Sequence, residues 1–310
     1  MKKIVSVLWF VVCGSVCFGQ VIFSFGGEGE SDIPQDTAKK YKLKTVAHTT
    51  KMSFFLNLGM DSYVSKKDFY DSLGRLTYTE HYDTKKHVTS RSYNLYNEKN
   101  LLVRDSSVDD SDGCTYKEYY EYDKDGNNTR DVSISRRGEY TDGKYSYTDK
   151  FDTTVRTYTY GTEKNNAGKM TSKKLVSPTT TYKNGKTIHT GKLDSSVTFY
   201  KYGHDSVYVN HINYKNKDNN YNKLFITNKL GNDSAEFTYL SKKKKFLSTK
   251  YFYNEKNQLE QTSDYDKKGN RYAYTLYKYD EKNFRLSSES TSGGGDYNFM
   301  FLTKFLYEFY

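Results

Sequence analysis

The chain has 310 residues, of which 35% are hydrophobic even with tyrosine counted and 28% are charged. That balance points to a thin core built from tyrosine bodies, in a sheet wetted on one or both faces rather than a compact α/β domain. It excludes a disordered polymer, because 17% of the residues are aromatic and 33 are tyrosine, whereas disordered chains are poor in such residues.

The chain opens Met1-Lys2-Lys3 and then runs mostly apolar from Ile4 to Phe18. This pattern predicts a secretory signal peptide over residues 1–19, cleaved near Gly19. Read as a membrane anchor, the run is short and no basic stop follows it. Read as a lipoprotein signal, it has Val12 and Val16 before Cys13 and Cys17, where a small residue belongs. Cleavage removes both cysteines, Trp9 and two lysines, so the net charge falls from +10 to +8 and Cys114 has no partner for a disulfide. Residues 20–45 read as an N-terminal segment and linker, with Gly26-Gly27-Glu28-Gly29-Glu30 at its start and a weakly amphipathic stretch near Thr37 to Val46. Residues 46–310 read as one tyrosine-rich repeat domain.

In that domain a tyrosine followed by a turn recurs about every 13 residues. The clearest copies are Tyr70-Asp71-Ser72-Leu73-Gly74, Tyr96-Asn97-Glu98-Lys99-Asn100, Tyr122-Asp123-Lys124-Asp125-Gly126, Tyr253-Asn254-Glu255-Lys256-Asn257, Tyr265-Asp266-Lys267-Lys268-Gly269 and Tyr279-Asp280-Glu281-Lys282-Asn283. Tyr70 to Tyr82 is 12 residues and Tyr82 to Tyr96 is 14; Tyr253, Tyr265 and Tyr279 repeat that alternation. Weaker anchors continue the beat at Tyr202, Tyr214, Thr227 and Leu240. Once the turn is subtracted, eight or nine residues remain, too few for an isolated helix but enough for a strand. Runs such as Arg75-Leu76-Thr77-Tyr78-Thr79-Glu80-His81-Tyr82 suit a pleated surface, and Asp, Asn and Gly suit tight turns. The fold expected is all-β, a long antiparallel meander of roughly 15 to 18 strands. Its middle is less regular: Glu163 to Lys169 reads as a longer loop, and Asn184-Gly185 as a two-residue hairpin turn. Proline occurs only at Pro34 and Pro178.

The unit Tyr70-Asp71-Ser72-Leu73-Gly74-Arg75-Leu76 resembles the YD repeat of the RHS family, and the copies at Tyr96, Tyr122, Tyr253, Tyr265 and Tyr279 resemble it in part. The final leucine recurs only as Leu102 and Leu259. The resemblance implies a secreted or surface β-repeat protein. Larger family members build a shell around a toxin, and some are described as carbohydrate-binding; this chain is too short to enclose a cargo. No catalytic residue carries over.

Candidate chemistry is sparse. His48, His81, His87, His189, His204 and His211 form no paired helical pattern; His81 and His87 flank one turn and could face each other across a hairpin. Asp109-Asp110-Ser111-Asp112-Gly113 and Asp123-Lys124-Asp125-Gly126-Asn127 resemble pieces of calcium loops without the closing glutamate, so hairpin turns are the expectation. Cys114 has no local histidine, and no Gly-x-Ser-x-Gly elbow is present. Lys242 to Lys245 reads as a solvated loop. The expectation is therefore a non-enzyme without metal or cofactor, exported to the envelope or beyond, that binds or scaffolds. Polysaccharide or an envelope protein is the default partner, nucleic acid is not expected, and an open sheet edge would permit self-association. The alternatives are an outer-membrane β-barrel, opposed by charge on both faces of Thr115 to Tyr122 and by tight turns at both ends, and an enzyme without a recognisable motif.

Overall fold

The computed structural model describes residues 33, 35–54, 62–109, 115–162, 168–241, 243–293 and 298–310. Residues 1–32, where the signal peptide is expected, lie outside the described residues, as do Asp110 to Cys114, Glu163 to Ala167 and Lys242. Among the described residues one short helix, α1 (Gln35–Lys40), precedes the strands. These are β1 (Leu43–Phe54), β2 (Tyr63–Tyr70), β3 (Leu76–Tyr82), β4 (Val88–Tyr96), β5 (Leu102–Asp109), β6 (Thr115–Tyr122), β7 (Asn128–Thr141), β8 (Lys144–Tyr160), β9 (Met170–Lys183), β10 (Lys186–Tyr202), β11 (Ser206–Asn213), β12 (Tyr221–Thr227), β13 (Asp233–Tyr239), β14 (Lys245–Tyr253), β15 (Leu259–Tyr265), β16 (Arg271–Tyr279), β17 (Arg285–Gly293) and β18 (Asn298–Phe309).

The repeated turn explains the repeated sequence. In each clear copy the Asp or Asn after the anchor accepts two backbone N–H groups through one side-chain oxygen. Asn97 Oδ1 accepts from Lys99 N and Leu101 N at 3.0 Å each, and Asp280 Oδ1 accepts from Lys282 N at 2.9 Å and Phe284 N at 2.8 Å. The fourth residue of the turn takes a left-handed backbone, at Asn100 (φ 61°), Gly126 (φ 85°) and Asn257 (φ 61°), which explains Gly or Asn there. A β-bulge follows. Leu95 pairs with Arg104 and Tyr96 with Leu102, so Val103 has no opposite number. Where Thr or Ser fills the bulge, its hydroxyl bonds across the hairpin, as Thr77 Oγ1 does to the Phe69 carbonyl at 3.2 Å and Ser234 Oγ to that of Ile226 at 3.0 Å.

Every strand pairs antiparallel with its sequence neighbours, and β18 pairs with β1 from Leu43↔Phe309 to Phe54↔Phe299, so the meander is a closed ring. Closure leaves the described sheet without the open edges on which self-association was expected to depend. Alternate turns lie at opposite mouths. The β2–β3, β4–β5 and β6–β7 turns, their later counterparts, α1 and the β18–β1 seam share what we term the anchor mouth. The 12-then-14 spacing is the step between mouths, and 26 is the return to the same one.

At the anchor mouth a tyrosine hydroxyl ties most hairpins to the one before. Tyr96 donates to the Leu76 carbonyl (2.9 Å), Tyr122 to Leu102 (2.7 Å), Tyr160 to Asn128 (2.8 Å), Tyr202 to Met170 (2.8 Å), Tyr253 to Asp233 (2.7 Å), Tyr279 to Leu259 (2.9 Å) and Tyr307 to Arg285 (2.5 Å). Tyr310 closes the seam, with its hydroxyl on the Tyr70 carbonyl and its N–H on that of Lys42, both at 2.8 Å. Two expected anchors are displaced by one residue: β11 ends at Asn213, leaving Tyr214 in a loop, and β13 ends at Tyr239 rather than Leu240.

Side-chain alternation gives the wall two faces. Register carries one face from Val46 to Asp68, Thr79, Ser92, Ser107 and Tyr116. This face holds the buried polar residues Asp68, Thr79, Glu118, Asp131, Ser133, Thr179, Ser196 and Thr198, and it lines the interior. The opposite face holds the exposed large groups Tyr93, Leu95, Tyr119, Leu193, Phe199, Tyr272, Leu286 and Met300. The buried apolar cluster is small and lies in the anchor mouth, where Ile33 and Ala38 meet Leu43, Val46, Tyr70, Leu76, Phe284 and Phe305.

The irregular middle is a protrusion at the far mouth. Strands β7 to β10 run 14 to 17 residues, and their two hairpin tips meet through Lys186↔Thr141 and the Tyr140 N–H on Thr187 Oγ1 (2.8 Å). Asn184 (φ 49°) and Gly185 (φ 76°) form the expected two-residue turn. Pro178 sits within β9 opposite Leu193, beside a bulge that tolerates its missing N–H.

Two outcomes test this fold. Tyr253→Phe leaves the Asp233 carbonyl without its donor and lowers stability by ~1 kcal/mol in denaturant titration. Gly74→Ala places a Cβ 2.5 Å from Gln35 O and Lys39 N at a left-handed position (φ 75°), so α1 must shift. That variant shows faster amide exchange in residues 35–40 and a loss of ~2 kcal/mol or more.

Candidate functional site

Beneath α1 the anchor mouth encloses a cavity of 310 Å³. Four parts of the chain build it: Ile33, Thr37, Lys40 and Tyr41 from the N-terminal segment; Val46, His48, Asp68 and Tyr70 from β1 and β2; Gln258 from the β14–β15 turn; and Tyr279, Lys282, Asn283, Phe284, Arg285, Phe305 and Tyr307 from the β16–β17 hairpin and β18. Phe284, 2% exposed, is the hub, with ring centroids of Tyr41 at 5.1 Å, Tyr307 at 4.8 Å and Phe309 at 5.7 Å. It occupies the last position of an Asp280 turn, so the turn that shapes the mouth also places its central ring. Gln35 fastens the helix by donating to the Leu73 carbonyl at 3.1 Å.

The cavity holds one ion pair on its wall. His48 Nε2 lies 2.9 Å from Asp68 Oδ2, Lys66 Nζ lies 3.2 Å from the same oxygen, and Thr79 donates to Oδ1 at 2.8 Å. Burial pushes the Asp68 carboxyl up, but the bond to His48 and the charge of Lys66 outweigh it and hold the group below its ordinary value. Asp68 is therefore an ionised, matched carboxylate.

A second polar cluster lies farther round the interior wall. Arg156 Nη1 is 2.5 Å from Glu118 Oε1 and 3.6 Å from Asp131 Oδ2, Tyr158 donates to Asp131 at 2.8 Å, and Tyr120 donates to Asp105 at 2.8 Å. The hydroxyl of Tyr116 donates to Glu118. Oδ1 of Asp105 and Oδ1 of Asp131 are buried without a partner among the described residues. Burial, then the nearby charge of Glu118, raises both aspartates despite the tyrosine hydroxyls. The cluster holds three carboxyl groups against Arg156 and the half-buried Lys173, so it favours retaining a proton.

The residues named from sequence scatter. His81 pairs in register with Lys66 and Ser90 on the interior face, while the exposed ring of His87 sits 3.3 Å from the Asp83 carboxylate in the turn. His189 lies in the protrusion, His204 contacts its neighbour Asp205, and His211 stacks on Tyr221. Both oxygens of Asp123 are committed to its own turn, Oδ1 to the N–H groups of Asp125 and Asn127 and Oδ2 to the Asn127 amide. Among the described residues no three His, Cys, Asp or Glu side chains form a metal-binding group. Cys114 and most of the Asp109–Gly113 loop lie outside the described residues, and Lys245 rests over the Phe237 ring, 4.5 Å from its centroid. Sequence reasoning missed both clusters, because their members are far apart along the chain; the only local signal was Asp, Glu or Arg alternating with Tyr, as in Tyr116-Lys117-Glu118-Tyr119-Tyr120.

The sign of the proton effect is testable. A carboxyl raised in the folded state favours folding at low pH, and that contribution is lost as pH rises above the unfolded value near 3.8. Asp105→Asn keeps an acceptor for Tyr120 and removes the charge. Its melting temperature exceeds that of the parent by ~2 °C at pH 7.5, a gap that closes toward pH 4 in thermal scans.

No protein-family model and no curated protein matches the chain. Among solved structures it is similar to a porin-like protein from Bacteroides uniformis, at 12% identity over 86% of this chain and 97% of that one, with a TM-score of 0.42. It is also similar to the TcdB2-TccC3 assembly, at 14% identity over 76% of this chain and 12% of that one (TM-score 0.37), and to TcdB2-TccC3-Cdc42, at 12% identity over 77% and 13% (TM-score 0.34).

Proposed function

We propose that this chain is an exported β-barrel of the cell envelope that works through its polar interior and anchor mouth, with its outer wall in water. The observation that carries this reading is charge at mid-wall. Lys67, Glu80, Arg91, Lys174, Lys250 and Glu289 occupy outward register positions, and Glu80 stands opposite both Lys67 and Arg91, as charges on a solvated sheet do. A lysine or arginine at the middle of a lipid-facing strand costs ~2–4 kcal/mol. Most strands have only seven to nine residues. At a rise of ~3.3 Å and a tilt of ~40° they stand ~20 Å tall, below the ~25 Å of an outer-membrane apolar band. The segment Met1 to Gly19 supports export, and the resemblance of the turns to YD repeats supports a surface or secreted setting. The interior offers tyrosine hydroxyls, carboxylates and arginine, groups that orient a polar ligand.

A second reading, an outer-membrane barrel, is favoured by a different observation. The ring is closed, its strand number is even, its buried face is polar, and large apolar side chains are exposed on the outer face, the polarity of a lipid-embedded barrel. Fractionation of the native host followed by a carbonate wash separates the two. Release into the soluble fraction or the wash is the expected result. Retention in the outer membrane, with a band that shifts on heating in gels, would establish the second reading instead.

A further inference from the structure

The anchor-mouth cavity has an unbalanced charge. Its one lining carboxylate, Asp68, is already matched by His48 and Lys66. Lys40 and Lys282 also line it, and neither has a carboxylate within ion-pair distance among the described residues. Both ammonium groups instead lie over the same ring, Tyr41, at 5.1 and 5.9 Å from its centroid. Cation–π contact is a weak substitute for a counter-ion at an exposed site. Six rings, of Tyr41, Tyr70, Tyr279, Phe284, Phe305 and Tyr307, make much of the remaining wall, beside Arg285 and smaller apolar and amide groups, and a volume of 310 Å³ falls at the small end of ligand pockets.

We propose that this cavity binds a small carboxylate with a planar aromatic body. The carboxylate takes the place of the missing counter-ion between Lys40 and Lys282, and the ring packs among Tyr41, Tyr70 and Phe305. A neutral sugar would leave both lysines as they are and would gain nothing from the charge imbalance. An anion without an apolar body would leave the aromatic wall wet.

The inference rests on the interior being the working surface, but not on what the outer wall faces. Fractionation reads the wall and ligand binding reads the cavity, so either can fail alone. The test is equilibrium dialysis of the full mature chain against 4-hydroxybenzoate and its uncharged counterpart 4-hydroxybenzamide. The acid is expected to bind at least tenfold more tightly than the amide, and the preference should shrink as salt rises. Lys40→Ala/Lys282→Ala, which changes two exposed side chains and leaves the ring of tyrosine ties untouched, removes that preference while amide binding and the melting temperature stay unchanged. Equal binding of acid and amide, no saturable binding of the acid up to millimolar concentration, or undiminished acid binding by the double variant would each overturn the proposal.

Discussion

The barrel depends on a hydrogen bond from a tyrosine hydroxyl to a backbone carbonyl on the preceding hairpin. Hairpins are local and each is marginal by itself. Between one hairpin and the next at the anchor mouth, chain connectivity supplies nothing, because the link between those two strands is at the far mouth. The hydroxyl of Tyr96, Tyr122, Tyr253 or Tyr279 closes that gap by reaching the carbonyl of the first residue in the adjoining strand. Phenylalanine would fill the space without making the tie, which is why the anchor is tyrosine. One position departs from the rule: Thr227 stands where the beat requires an anchor, and its backbone N–H bonds the Asp205 carbonyl instead, at 2.9 Å.

With the tyrosines as ties, the other repeated letters take separate tasks. The Asx oxygen caps two turn N–H groups, the left-handed fourth residue reverses the chain, and the bulge after it adds twist and curvature. Repeated turn after turn, the bulges bend a sheet that would otherwise stay open until β1 meets β18. The interior face that results carries polar side chains bonding one another, and α1 packs with its few apolar partners at one mouth. A wall held by main-chain pairing and tyrosine ties has little need of an aliphatic core, which accounts for a chain so low in aliphatic residues.

Much of this was legible in the sequence because the information is local. Turn type, strand length and antiparallel order follow from five-residue windows such as Tyr122 to Gly126. Closure was not legible, since it pairs Leu43 with Phe309 and no window spans both. Nor was the division of tyrosines into an inward set such as Tyr96 and an outward set such as Tyr82, because each bulge resets the alternation. The displaced anchors at Asn213 and Tyr239 show the same limit: Tyr214 and Leu240 matched in spacing and polarity, but strand register ended one residue earlier. The two interior clusters were hidden for a further reason. Asp68 meets His48 across strands β1 and β2, and Arg156 meets Glu118 from two strands away, so their chemistry exists only after the wall is built.

The β18–β1 seam has a consequence for how the molecule is made. Its contacts join residues 245 to 266 positions apart, whereas the other neighbouring strands of the ring follow one another in sequence. Hairpins therefore form early and in chain order, and the ring shuts last, after a wide loop closure. Throughout that interval the nascent sheet shows two bare strand edges, one at β1 and one at its growing side. Both present unpaired backbone N–H and C=O groups ready to pair with another molecule. A cell that produces this protein has to shelter those edges until the seam closes, so the pace of closure, more than the stability of the finished ring, governs how much folded material it recovers.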